Sequence, residues 1–525
     1  MFKKKIDRTG NETKEKPNSP PKAAEKNKAK EKKNSKTKSK VLKVPRSVQE
    51  TIPYYRVYKN GIIETEPGKF SKTYPLEDVN FSIANQQDQE NIFCAYGDLL
   101  NTWGADVKIQ ITINNRNIDQ EQFAEKTLLR MKKDNLNEYR EEYNEMLLQK
   151  MSEGRNNMRK EKYVTLTIEE QDIEAAINTF SRLDGELSAR IKKINNFETV
   201  PMTTLERLSV LHDIYNIGEE STFYRKAQID GKDVKSYDFD AMVKMGLTTK
   251  DLIGPDGFEF APSYFKSGNN YGRVLFLDNL PTLLSTDILN DITNVSCNMV
   301  LSVHFQPLRQ DKALSLIKNQ MTNINSNVVD AQKRATKSGY SPDLISPDLI
   351  RAQNEAARLL HDMTKKNQKM FLVTIIVTHF ANNLEELNKD TELIKSNVSK
   401  HLCQLKVLRY QQEAGLTTAL PLGMNKVEVK RLLTTESSAV FIPFSAQELS
   451  QDGGMYYGLN AVSRNMLLFN RLSSKNASGV ILGTPGSGKS FAAKREMTNV
   501  LLNTDDDVFI IDPERGAKRR DIRAA

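Results

Sequence analysis

Apolar and polar residues follow two rhythms along this chain, and each rhythm marks a different element. Val107-Lys108-Ile109-Gln110-Ile111-Thr112-Ile113 alternates one for one, which predicts a strand buried on one face. Tyr54–Tyr58, Gly61–Thr65 and Lys69–Pro75 read as short strands separated by Asn60-Gly61 and Pro67-Gly68 turns. Further strands are predicted at Val164–Ile168, Asn298–Gln306, Met370–His379 and Lys406–Arg409, with two more around a Gly268–Gly272 turn within Phe258–Leu280. Helical spacing appears at Asp88–Thr102, where Ile92, Phe93, Tyr96, Leu99 and Leu100 share one face. It is clearest at Glu169–Ile194, whose stripe is Ile173, Ile177, Phe180, Leu183, Leu187 and Ile191. Thr203–Tyr215, Arg309–Lys337, Leu349–Thr364 and Leu384–Leu402 read as helices too, and Asp119–Lys150 as one long charged helix with a solvated face.

This mixture predicts an α+β region over residues 47–435, a sheet covered by helices, with room for two subdomains split near 240. Ser341-Pro342-Asp343-Leu344-Ile345 is repeated at once as Ser346-Pro347-Asp348-Leu349-Ile350, which reads as a turn capping the next helix. No catalytic constellation stands out in the region. Its acids read as helix-surface charges.

The chemistry gathers near the end. Gly483-Thr484-Pro485-Gly486-Ser487-Gly488-Lys489-Ser490 follows the G-x-x-x-x-G-K-S/T spacing of a phosphate-binding loop. Glycines let the backbone close around phosphate oxygens, and its N–H groups with the following helix N-terminus supply partial positive charge. Lys489 is placed to reach the β- and γ-phosphates of ATP, and the Ser490 hydroxyl to ligate Mg²⁺. Val480-Ile481-Leu482 predicts the strand feeding the loop. Phe491–Leu502 predicts the helix leaving it, with Phe491, Met497, Val500 and Leu501 apolar. All eight loop residues are candidate nucleotide ligands, and no catalytic residue is assigned.

Charge changes the picture of the N-terminus. The chain carries a formal +9, yet residues 1–45 alone hold fifteen lysines and one arginine against five acids. The rest is therefore slightly acidic, and no sequence-specific nucleic-acid contact is expected of it. Residues 1–46 are too polar to bury a core and read as a disordered basic tail, either a solubilising segment or an arm for anionic surfaces. Cys94, Cys297 and Cys403 stand alone, which excludes a disulfide framework and a thiolate metal site and fits a reducing cytosol. The start lacks the apolar core of a signal peptide. Met370–Thr378, the most apolar run, is far shorter than the roughly 20 residues of a spanning helix.

Residues 411–423, Gln-Gln-Glu-Ala-Gly-Leu-Thr-Thr-Ala-Leu-Pro-Leu-Gly, resemble the Q-x-x-G…LPLG segment of the conjugative type IV secretion ATPases. That family includes the TraE, TrbE and CagE proteins and the VirB-type transfer ATPases. Gly458-Leu459-Asn460 resembles its G-x-N element ahead of the phosphate loop, and Val508-Phe509-Ile510-Ile511-Asp512-Pro513-Glu514 its second strand ending in Asp-Pro-Glu. The N-terminal part resembles the Gram-positive branch in order and length. The resemblance spans roughly 50–515. It implies that residues 436–525 begin a RecA-like nucleotide-binding domain, in a multidomain α/β and α+β protein. It further implies ATP and Mg²⁺ as cofactors, self-association (hexameric in full-length relatives) and channel proteins as partners. The expected location is cytoplasmic, peripheral at the inner face of the membrane.

The chain also departs from the family. Such motors carry an Asp-Glu pair on a later strand, to hold Mg²⁺ and activate water. Asp512 is followed by Pro513, and then by the basic run Arg515–Arg520. The expectation is a motor domain cut short, least stable from Gly458 onward, with Val480–Leu482 and Val508–Ile511 left as uncovered strands. Two other readings stay open: a docking subunit without chemistry, and a phosphate-loop enzyme of another kind such as a nucleotide kinase.

Because the tail has almost no apolar content, deleting residues 1–46 should leave the circular dichroism and melting of the body unchanged. The same deletion should weaken binding to anionic vesicles in a salt-dependent way. Equal vesicle binding with and without the tail would remove it as a membrane arm.

Overall fold

The computed structural model describes residues 45–117, 127–153, 158–218, 244–281, 284–338, 347–365, 368–447, 449, 451, 454–460, 465–474 and 476–511. The basic tail, the first Ser-Pro-Asp-Leu-Ile copy, Asp512 and the basic run after it lie outside them.

In chain order the helices are α1 (Val48–Thr51), α2 (Gln86–Leu100), α3 (Asn137–Glu153), α4 (Ile173–Asn195), α5 (Thr204–Tyr215), α6 (Thr249–Ile253) and α7 (Ile288–Thr293). They continue as α8 (Gln310–Lys337), α9 (Pro347–Lys365), α10 (Leu384–Ser399), α11 (Gln412–Ala419), α12 (Thr435–Ala439) and α13 (Lys489–Asn503). The strands are β1 (Arg56–Val57), β2 (Ile63–Glu66), β3 (Lys69–Pro75), β4 (Lys108–Asn117), β5 (Met158–Glu169), β6 (Phe258–Phe260) and β7 (Phe265–Ser267). After them come β8 (Asn270–Asn279), β9 (Asn298–Pro307), β10 (Met370–Ala381), β11 (Gln404–Val407), β12 (Arg431–Thr434), β13 (Met455–Leu459) and β14 (Met466–Phe469).

The protein is a mixed α/β fold built on one large antiparallel sheet. The order is β1-β2-β3-β5-β4-β9-β10-β8-β7-β6, with β11 added to β8 and β12 to β10. A split near residue 240 has no counterpart in this sheet, because β4 pairs directly with β9 from Ile109↔Phe305 to Asn115↔Met299.

Local chemistry explains most element ends. Asp172 caps α4 by accepting from Ala175 N–H, and Asn196 ends it in a left-handed conformation. Phe180, Leu183, Leu187 and Ile191 of its stripe are fully buried. Ile177 is not: it lies 39% exposed, and Ala176, one position earlier, takes the inward place. Thr203 and Glu206 close a capping box on α5. Of the long charged helix predicted over Asp119–Lys150, residues 119–126 lie outside the described residues; Leu128–Leu136 are not helical, and the helix runs over Asn137–Glu153. Ahead of it the Asp134 and Asn137 side chains accept from Leu136 N–H and Lys132 N–H, local bonds that compete with helix formation.

The sheet carries two cores. Ile109, Ile111 and Ile113 of β4 face the larger one with Val164, Leu166, Val303, Phe305, Phe371 and Val373, under α2, α4, α7 and α10. The opposite face was expected to meet solvent where β4 shows Gln110 and Thr112. It does not, since both are buried, as are Thr165, Ser302 and His304 beside them. A strap made of α11 and the residues after it covers this face.

The strap explains the polar positions. Successive strap carbonyls each receive a bond from the sheet. His304 Nε2–H donates to Thr418 O (2.7 Å), Ser302 Oγ–H to Ala419 O (2.6 Å) and Gln110 Nε2–H to Leu420 O (2.8 Å). Thr73 Oγ1–H and the Arg207 guanidinium donate to Pro421 O, and Gln110 Oε1 accepts from Gly423 N–H. Leu416, Leu420 and Leu422 meanwhile fill the second core with Leu208, Leu211 and Ile376. Gly423 has φ +72° and a Cβ there would lie 1.8 Å from Thr167 Oγ1, so only glycine fits.

Burial holds His304 neutral, its pKa lowered to about 4, and burial with the Arg273 charge lowers that of His379 to about 3. Both sit below the unfolded value of 6.5, so the unfolded chain binds more protons between these limits. Their contribution is complete above about pH 6.5 and is lost as pH falls, toward 4 for His304 and toward 3 for His379, on the order of 3–5 kcal/mol each. Urea melts from pH 7 down to pH 4.5 should show this loss. His304→Gln, which keeps a donor for Thr418 O, should reduce the slope. An unchanged slope in the His304→Gln, His379→Gln double variant would refute the assignment.

Candidate phosphate-binding loop

The eight loop residues stand together, and the helix starts at Lys489 as its sequence requires. Gly486 (φ +78°) and Gly488 (φ +88°) adopt left-handed backbone, which lets the chain reverse twice within three residues. A side chain at Gly483 would come within 2.5 Å of Ser487 Oγ. Gly488 N-caps α13 with no side-chain cap bond, and no acid occupies the first turn. The helix therefore presents its positive end toward the loop without an internal anion. Lys489 Nζ donates to Gly483 O (2.7 Å) and Thr484 O (2.9 Å), so the loop curls around the ammonium a phosphate would otherwise face.

The flanks differ from expectation. Val480–Leu482 and Val508–Ile511 are not strands. Val480 is 82% exposed, Leu482 86%, Phe509 90% and Ile511 97%. An isolated apolar run gains nothing by extending unless a neighbour takes its N–H and C=O groups, and among the described residues none does. The apolar face expected on α13 also points elsewhere. Phe491 is 74% exposed, while the buried positions are Asn499 and Leu502.

Polar side chains hold α13 instead. Arg140, fully buried on α3, donates from Nε to Leu502 O (2.9 Å) and pairs with Asp134 (2.5 Å). A cation thus meets the carbonyl end of the helix, where its dipole is negative. Asn499 Nδ2–H donates to the Tyr143 hydroxyl (2.5 Å). On the other side Arg495 donates to Tyr456 O and stacks over the Tyr456 ring, and Arg471 pairs with Glu496 (2.5 Å). Leu147, Tyr456 and Leu468 form a small core between α3 and the β13–β14 hairpin. The Gly458-Leu459-Asn460 element lies in this hairpin, with Gly458 (φ +152°) at its register shift. The signal for this docking was present in the sequence as Tyr143, Met146 and Leu147, but it reads there as one stripe of a solvated helix.

The chain matches no protein-family model and no curated protein. Among the described residues no three His, Cys, Asp or Glu side chains gather as metal ligands, and no helix is long and apolar enough to cross a membrane.

Since Arg140 ties α13 to α3 through Leu502 O, Arg140→Leu should free the loop-bearing segment while leaving the main sheet intact. Limited proteolysis should then cut several-fold faster between residues 454 and 511, with 47–435 persisting. Equal cleavage in both proteins would show that the hairpin alone holds α13.

Proposed function

We propose that this chain is an ATP-binding component of a conjugative DNA-transfer apparatus, a type IV secretion system. The observation that carries nucleotide binding is the Gly483–Ser490 loop with its left-handed glycines, running directly into a helix whose N-terminus no side chain caps. Backbone N–H groups of Gly486–Ser490 would hold phosphate oxygens, Lys489 would turn from Gly483 O to the β- and γ-phosphates, and Ser490 would ligate Mg²⁺. When bound, Mg-ATP supplies the phosphoanhydride whose cleavage drives such motors. The narrower assignment rests on the LPLG, G-x-N and Asp-Pro-Glu segments. On it residues 436–525 begin a RecA-like domain, and the chain self-associates, as a hexamer in full-length relatives. It works with channel proteins as a peripheral component at the inner face of the membrane.

A second reading is a docking subunit that performs no chemistry. What favours it is the bare flank of the loop. With Val480–Leu482 outside any sheet, nothing rigid preorganises the loop N–H groups, and ordering them on binding lowers affinity.

Both readings meet in one experiment on the full chain. Mg-ATP binding should be detectable but weak, should fall at least roughly tenfold in Lys489→Ala, and should occur without sustained phosphate release. Steady-state release abolished by Lys489→Ala would overturn the non-catalytic reading. Binding indifferent to that substitution would overturn the ATP-binding one.

A further inference from the structure

A second, unrelated charged cavity lies at the edge of the strap. The β2–β3 turn, the start of β4, the ends of β5 and β9 and the residues following Gly423 enclose about 240 Å³. Lys69, Lys108, Lys426 and Lys430 line it, and Glu66 is the one acid that does. Lys69 pairs with Glu66 at 2.6 Å, and Lys426 pairs with the same carboxylate. Lys108 pairs with Glu169 (2.7 Å), which stands outside the wall, and Lys430 has no ion-pair partner among the described residues. The cavity thus carries a clear positive surplus.

Solvated lysines on a flat surface would mean little. These four instead come from three separate segments of the chain, at 69, 108 and 426–430, and converge on one concavity. Glu66 already shows what the cluster attracts, because Lys426 and then Lys69 hold its carboxyl down to about 2. It acts as an internal anion.

We propose that this cavity binds a small phosphate-bearing anion, which displaces Glu66 from Lys426. Phosphate is favoured because every cation here is a lysine. Ammonium groups are point charges that suit a multiply charged phosphate, whereas planar carboxylates favour the bidentate fork of arginine. The volume is below the roughly 300–1,000 Å³ of drug-sized ligand sites, so it takes a head group and not a whole nucleotide. Glu66 and Lys426 also line an adjoining, more open cleft of about 500 Å³ with Pro53 and Tyr55. A phosphate in the lysine cavity can therefore carry its organic part into that cleft. The source is either a soluble organic phosphate or a phospholipid head group.

The test uses the full chain carrying Lys489→Ala, so that the glycine-rich loop contributes little. The site and the nucleotide reading can then fail separately. Pyrophosphate titrated by calorimetry at low salt should bind. Lys108→Ala with Lys430→Ala should weaken it roughly tenfold. Glu66→Gln, which removes the internal competitor and keeps its shape, should tighten it several-fold. The Lys108 and Glu66 side chains are each about a third exposed and Lys430 is exposed, so such changes leave the fold standing, as matched melting curves should confirm. Flotation with vesicles of phosphatidylglycerol in phosphatidylcholine separates the sources. Loss in the double lysine variant assigns a lipid head group, and unchanged flotation beside a lysine-dependent pyrophosphate response assigns a soluble phosphate. The proposal is overturned if pyrophosphate binding and flotation are both indifferent to the double lysine variant, or if Glu66→Gln weakens binding.

Discussion

The fold depends on a row of hydrogen bonds between side chains of a sheet and carbonyls of the strap laid across it. Strap carbonyls from Thr418 to Gly423 are used by strands that lie far apart in the chain, β3, β4, β5 and β9. A buried backbone carbonyl without a partner is expensive. The non-helical part of the strap cannot satisfy itself, so its neighbours must supply donors: the sheet gives small hydroxyls, one amide and one imidazole, and α5 gives one guanidinium. Arg207 is the extreme case. Fully buried, it has no carboxylate within its set of partners, and donates to Gly61 O, Ser71 O and Pro421 O. Burial alone lowers its pKa to about 9, and it remains a cation at neutral pH because those carbonyls replace its water.

This constraint accounts for what the sequence shows and hides. Period-two alternation located β4 to within a few residues, and the stripe of α4 was legible because it is a local signal. Alternation cannot say what covers the polar side of a strand. Gln110, Thr112 and Ser302 look like solvent-facing residues until the strap is seen. The information that buries them lies far downstream in the strap, 310 residues on for Gln110 and 117 for Ser302. The LPLG run was conspicuous only as a resemblance. Its physical meaning is two leucines into the second core, a carbonyl at Pro421 shared by three donors, and a glycine where Thr167 excludes a side chain.

The backbone of residues 483–490 was legible for the opposite reason. Glycine spacing specifies backbone directly, and Gly486 and Gly488 do adopt left-handed conformations. Its surroundings were not legible, because a continuous apolar run such as Val480–Leu482 signals burial without naming the partner strands that would provide it. The orientation of α13 was hidden too. Apolar spacing pointed to Phe491, Val500 and Leu501, yet the side that docks does so through Asn499, Arg495 and Glu496.

That docking links the loop to the rest of the molecule more closely than a flexible attachment would. Arg140 belongs to α3, whose flanking segments run between β4 and β5 at the centre of the large sheet, and it grips the last turn of the helix whose first turn ends the loop. The helix that begins at Lys489 and ends at Asn503 thus joins the loop to Arg140 and Asp134 through Leu502 O. At the opposite side Arg471, paired to Glu496, lies against Gly479 just ahead of the loop, where a Cβ would stand 3.0 Å from the guanidinium. The helix behind the loop is therefore held mainly by charged and polar groups and by little apolar area. Such contacts are directional and re-form readily, whereas a packed core resists displacement.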